Sequence, residues 1–271
     1  MPEKPPLQKL HLHPNAREPK PARPVAARAA YAELQTTSNF TFLTGASHPE
    51  EIVERAAALG HTAVALTDVN TLGGIVRAHV AARQAQVPFV VGCRIDMLSN
   101  GAWEDVPPLR EDETPEVVSS VLVYPTRRTA YAGLCRLLTL GKRRAPKGQC
   151  HLTLTDLLDH HEGLLAVALP PRRLTGFDEV LRRLAAVFDD DRISLASSCL
   201  YGEDDHTRID ALAALSDETD VPLVATNDVH YHVPERRALQ DVLVCIRHGV
   251  SIGEAGFRLF PHGERHVKRP S

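Results

Sequence analysis

Apolar positions along this chain follow two alternating rhythms. Short, β-branched, nearly continuous apolar runs recur at Tyr31–Thr36, Thr62–Thr67, Pro88–Met97, Val117–Tyr124, Leu164–Leu169, Ile193–Ser197 and Pro222–Thr226. Between them the spacing becomes helical, as in Thr71–Gln86, where Ile75, Val76, His79 and Val80 share a face. The same period predicts helices over Arg127–Leu140, Thr155–His161, Phe177–Phe188, His206–Thr219 and Pro234–Arg247. Ser47 and Glu50 predict a capping box around Pro49, opening a helix that runs to Leu59 and stops at Gly60. Strands apolar on both faces, separated by amphipathic helices, predict an α/β fold with a parallel sheet covered by helices. Seven such units favour closure into a barrel, and chemistry then belongs at the C-terminal ends of the strands.

Composition changes this picture mainly at the N-terminus. Residues 1–29 hold seven prolines and six bases against two acids, a net +4, and are expected to form a disordered basic tail. The remaining residues, a single domain over 30–271, carry 25 bases and 32 acids, a net −7. An acidic body should not hold nucleic acid by bulk phosphate attraction, so any DNA contact is expected to be indirect. No apolar run of about 18 residues is present, and no membrane partner is expected. Five scattered cysteines without a CxxC pair, and no signal-peptide pattern, predict reduced thiols and a cytoplasmic location.

The strand ends supply the candidate chemistry. Strand one ends in Gln35, Thr36 and Thr37, strand two in Asp68 and Val69, and strand three passes Arg94. Strand four begins near Ser120, strand six ends near Cys199, and strand seven ends in Asp228, Val229 and His230. Carboxylate and imidazole at i and i+2 of an extended segment point to one side and suit a divalent metal. Asp68 could add a bridging carboxylate, but Arg94 would repel a cation. His11 and His13 form an HxH, yet no apolar strand delivers them to a pocket. Lys142, Arg143, Arg144 and Lys147 read as a basic loop and a candidate phosphate contact.

Four segments carry a resemblance that spacing alone does not: YAELQTTSNFTFLTGASHPEEIVERAAALGHTAVALTD, GGIVRAHVAARQAQVPFVVGCRIDM, LCRLLTLGKRRAPKGQC and VATNDVHYHVPERRALQDVLVCIRHG. They resemble the PHP (polymerase and histidinol phosphatase) domain at the N-terminus of bacterial C-family DNA polymerase III alpha subunits, closest to the error-prone branch. The resemblance implies a distorted seven-unit β/α barrel and, in intact members, a small metal cluster that hydrolyses phosphoesters. Matched position by position, the family's ligands fall on Gln35, Thr37, Thr44, Val69, Arg94 and Ser120. Asp68, Asp228, His230 and, with uncertain alignment, Cys199 stand as a remnant. The polymerase carboxylates lie downstream in the family, so these residues alone should not polymerise DNA.

Two functional expectations follow. One is a degenerate barrel of an error-prone polymerase serving DNA replication and repair of damage, structural and partner-docking, with no tightly bound cofactor. Its partners would be polymerase domains of the same or a companion chain and other replication or mutagenesis proteins. The other is a working metal-dependent phosphoesterase or 3′–5′ exonuclease using Mn, Zn or Mg.

Overall fold

The structure, a computed structural model, describes residues 30–98, 117–189, 191–199, 201–202 and 204–270. The predicted tail, with His11 and His13, lies outside the described residues.

Helix α1 (Pro49–Leu59) shows how sequence sets an element here. Pro49 takes the first position, Glu50 and Glu51 stand in the first turn, and Gly60 ends the helix in a left-handed conformation at φ 79°. Ile52, Val53, Ala56 and Leu59 form its buried stripe. The predicted capping box is displaced by one residue. The Glu51 carboxylate accepts the His48 backbone N–H at 2.8 Å. Ser47 Oγ instead bonds the His232 ring at 2.8 Å and the His232 backbone N–H at 2.9 Å.

The remaining elements are β1 (Ala32–Glu33), β2 (Ala63–Leu66), α2 (Ile75–Ala85), β3 (Phe89–Val91), β4 (Cys93–Leu98), β5 (Val117–Pro125) and α3 (Arg128–Arg144). They continue with α4 (Leu154–Asp159), β6 (Leu164–Leu169), α5 (Phe177–Ala185), β7 (Ile193–Ser197), α6 (Asp205–Thr219), β8 (Leu223–Ala225) and α7 (Arg237–His248). Strands β1-β2-β3 form one parallel sheet, and β4-β5-β6-β7-β8 form a second. The expectation of an all-parallel sheet is corrected, because β5 runs antiparallel to both β4 and β6. The predicted third strand is also two strands. It breaks at Gly92, where a Cβ would stand 2.8 Å from Thr67 Cγ2 and 2.9 Å from the Tyr124 ring.

Isolated parallel bridges link the sheets at both seams, Thr36 to Val229 and Val69 to Arg94. Apolar packing divides in the same way. One cluster lies between β4–β7 and helices α3, α5 and α6, and another between α1, α2 and the first sheet. A third draws Ala65 from β2, Leu122 and Tyr124 from β5, Val167 from β6 and Ala196 from β7 into one core. Tyr124 Oη donates to the Leu34 carbonyl at 2.7 Å, tying β5 to the end of β1.

Half of the basic loop expected at Lys142–Lys147 is helix. α3 runs on to Arg144, so Lys142, Arg143 and Arg144 are its last turn, where cations complement the helix dipole. Among the described residues no helix is long and apolar enough to cross a membrane.

Candidate functional site

The ends of β1, β2, β4 and β8 bring most of the singled-out residues to one mouth. Asp228 follows β8 with a left-handed backbone, φ 46°, a conformation that Asp tolerates better than most residues. The premise of an extended Asp228–His230 segment is therefore corrected. The two side chains still meet, with His230 Nε2 at 3.3 Å from Asp228 Oδ1. Burial, reinforced by the positive charge of Arg94, pushes the His230 pKa down to about 4. At neutral pH this is consequently a contact of a neutral imidazole rather than an ion pair.

Both Asp228 oxygens have further partners. The Gln35 side-chain amide donates to Oδ1 at 2.8 Å, and the Arg265 guanidinium forms an ion pair with Oδ2. Arg265 stacks over the Phe260 ring at 3.9 Å from its centroid, and the Phe260 edge also meets the His230 ring. Burial, with Arg94 nearby, lowers the Arg265 pKa to about 10, so it remains a cation at neutral pH.

Asp68 is held differently. It is 2% exposed and accepts three hydrogen bonds: from the Ser38 backbone N–H at 2.8 Å, Ser38 Oγ at 2.7 Å and Thr41 Oγ1 at 2.8 Å. Burial outweighs these bonds and raises its pKa above the usual carboxylate value. Two glycines admit this cage. A Cβ on Gly45 would overlap the Ser38 carbonyl at 2.1 Å, and one on Gly74 would lie 3.1 Å from Asp68 Oδ2.

Arg94 lies across the mouth, its Nε donating to Asp96 Oδ1 at 2.6 Å and its Nη2 to Ser120 Oγ at 3.0 Å. Ser120 Oγ in turn donates to Asp96 Oδ1 at 2.6 Å. These residues, with Gln35 and Asp228, line a cavity of about 350 Å³. Val69 pairs with Arg94 through backbone, while Thr44 Oγ1 accepts from Arg247 at 2.8 Å. Thr37 is buried and its backbone N–H donates to Val229. Cys199 does not join them: it is exposed, with its thiol 3.2 Å from Asp205 Oδ2.

The basic cluster also separates. Arg144 makes a two-oxygen contact with Asp156 at 2.9 and 2.7 Å, reinforcing the Thr153–Asp156 capping box of α4. Lys142 and Lys147 line a groove with Phe40 and Phe42, whereas Arg143 faces a different hollow beside Cys135 and His160. The strand-end pattern did not point to Arg265, Ser119 or Arg208 at the mouth. Ser119 adjoins the singled-out Ser120, so the strand-end logic could have reached it. Arg265 arrives from 37 positions beyond Asp228 with no local signal.

The donor set does not fit a divalent metal cluster. Asp68 and Asp228 are committed to internal partners, Arg94 and Arg265 bring positive charge, and Gln35, Thr37 and Val69 are poor or impossible ligands. Among the described residues no group of three or more His, Cys, Asp or Glu side chains is placed to hold an ion.

Comparison with known proteins places this mouth in a family. The PHP domain model matches residues 33–209. An error-prone DNA polymerase from Caulobacter vibrioides is 47% identical over 241 residues, covering 89% of this chain and 21% of that protein. Error-prone DNA polymerase 1 of Agrobacterium fabrum is 44% identical over 240 residues, covering 89% of this chain and 20% of that protein. The chain thus spans about a fifth of the length of these relatives. A solved Bifidobacterium adolescentis protein described as a metal-dependent phosphoesterase aligns over 74% of this chain and 88% of its own, at a TM-score of 0.53 and 15% identity. That likeness is one of fold. With residues 33–209 matched and the strand-end mouth in place, the chain belongs to the PHP domain family.

Proposed function

We propose that this chain is the PHP barrel of an error-prone DNA polymerase alpha-like subunit, with a degenerate metal site and a structural, partner-docking role. One observation carries the reading: both oxygens of Asp228 are taken by Gln35 and Arg265, so a guanidinium stands where a metal would supply positive charge. The seam bridges and the core shared by both sheets support a distorted seven-unit barrel, with β3 and β4 as two halves of one unit. The polymerase relatives support a cytoplasmic setting in replication and damage repair. Partners in this reading are polymerase domains of the same or a companion chain, together with other mutagenesis proteins. DNA contact is indirect, and residues 1–29 act as a separate basic tail.

In this role Arg265, Arg94 and Gln35 do structural work. They neutralise Asp228 and Asp96 and hold the segment after Phe260 against the mouth. A phosphoesterase assay with manganese or zinc tests the reading. No metal-stimulated release from a phosphoester or a DNA 3′ end is expected. Stimulated release that disappears in Asp228→Ala would establish the alternative, a working phosphoesterase or exonuclease.

A further inference from the structure

Helix α3 concentrates positive charge in an otherwise acidic body. Residues 117–155 hold seven bases and no Asp or Glu, whereas the rest of residues 30–271 holds 18 bases and 32 acids. Helix stability explains only part of this. Lys142, Arg143 and Arg144 end α3, where cations complement the dipole, and Arg144 also pairs with Asp156. Arg127 and Arg128 stand at the opposite end, where the dipole disfavours a cation and no acid occupies the first turn. At 3.6 residues per turn, Arg128, Arg136, Lys142 and Arg143 fall within about a third of the helix circumference. All four are exposed. Among the described residues no carboxylate lies within ion-pair distance of any of them. Like charges gathered on one side repel each other, so the arrangement gives the isolated fold nothing and points outward, to an anionic partner.

The same side offers an anchor. Arg136 and Arg143, two turns apart, line a hollow of about 800 Å³ together with Cys135, Thr139, Leu140 and His160. Cys135 and Leu140 are half-buried and give this lining an apolar part. Tyr131, 38% exposed, lies one turn before Cys135. Cations on either side of an apolar patch fit a protein segment that carries carboxylates around an apolar side chain. They fit a nucleic acid poorly. Tyr131 is the one aromatic residue of α3 on which a base could stack, and a long polyanion would run onto the acidic remainder of the body.

We propose that the outer side of α3 docks an acidic protein segment with an apolar anchor. This surface gives one partner of the docking role proposed above its chemistry and rests on that role. Its test involves no metal, so the docking surface and the degenerate-site reading can fail separately.

Fluorescence anisotropy of the full chain with a labelled sixteen-residue peptide of Glu-Leu-Glu-Glu repeats tests the surface, with oligothymidylate of the same length as the rival polyanion. The peptide should bind at millimolar concentration or tighter in about 50 mM salt and weaken as salt rises. Arg136→Gln combined with Arg143→Gln should weaken binding about tenfold, the loss of two charge-assisted contacts. Both side chains are exposed, so far-UV circular dichroism should be unchanged. Lys147→Gln, beyond the end of α3, should change binding by less than about twofold. No binding of the peptide, or binding indifferent to the double change, overturns the proposal. Tighter binding of oligothymidylate than of the peptide also overturns it and marks a nucleic-acid surface. Residues 104–116 of the chain itself hold six acids and one base, so the titration is repeated with those acids changed to amides. Binding seen only then would show the surface taken by its own chain, which overturns an external partner.

Discussion

Asp68 and Asp228 end neighbouring parts of the same mouth, yet their charge is accommodated in opposite ways. Asp68 is enclosed by neutral donors on one loop, Ser38 and Thr41, with glycines 45 and 74 making the space. Asp228 is held by a cation and an amide from distant segments, Arg265 and Gln35. A caged carboxylate organises its own loop, whereas a paired one fastens distant parts of the chain together. Both carboxylates are thus satisfied from within the chain, one by its own loop and the other by distant segments.

The sharpest way to break this comparison is to empty the cage. Asp68→Ala leaves three buried donors unpaired and should destabilise the fold by about 3–4 kcal/mol in urea denaturation. If Asp68 were instead a solvated ligand, the change would be small, or even stabilising.

A second test uses a carboxylate beside the segment that carries Asp228. Glu33 is fully buried, accepts from Tyr31 at 3.3 Å and Asn227 at 3.2 Å, and burial raises its pKa to about 7. Because the folded value lies above the unfolded one, its contribution is full below about pH 4.5 and is lost as pH rises through about 7. Glu33→Gln cannot ionise, so its stability relative to wild type should rise by about 3 kcal/mol between acid and about pH 8. A pH-independent difference in thermal or urea melts would show that Glu33 does not titrate in this range.

A double-mutant cycle on Asp228 and Arg265 addresses the paired side. Each single alanine change should cost about 2–3 kcal/mol, and the double change should cost less than their sum by about 1–2 kcal/mol. Additive losses would mean that the ion pair does not couple the two segments. The smallest expected effect is at α3. Arg144→Gln should cost about 1 kcal/mol through the α4 cap, a loss larger than that from Lys142→Gln. Equal effects of the two changes would argue that the cluster acts as one basic patch.

Much of this arrangement was legible in the sequence. Apolar runs located every strand, even β3 and β8, whose residues are partly exposed. Their direction was not legible: β5 has the same composition whether parallel or antiparallel to β6. The break at Gly92 was hidden because it depends on Thr67 and Tyr124 approaching from other strands. Strand ends led to Gln35, Asp68, Arg94, Ser120, Asp228 and His230, which the structure gathers at one mouth. Arg265 was not found because its segment has no periodic or motif signal, and Arg208 because the period of the predicted helix His206–Thr219 does not say which strand ends that helix meets.

In the proposed reading the carboxylates of this mouth serve internal partners and hold no metal. Elemental analysis of the purified protein after equilibration with manganese and zinc tests it most directly. The account predicts no stoichiometric ion in wild type and no difference in Asp228→Ala. Two or three bound ions per chain, lost on substituting Asp228, would contradict it.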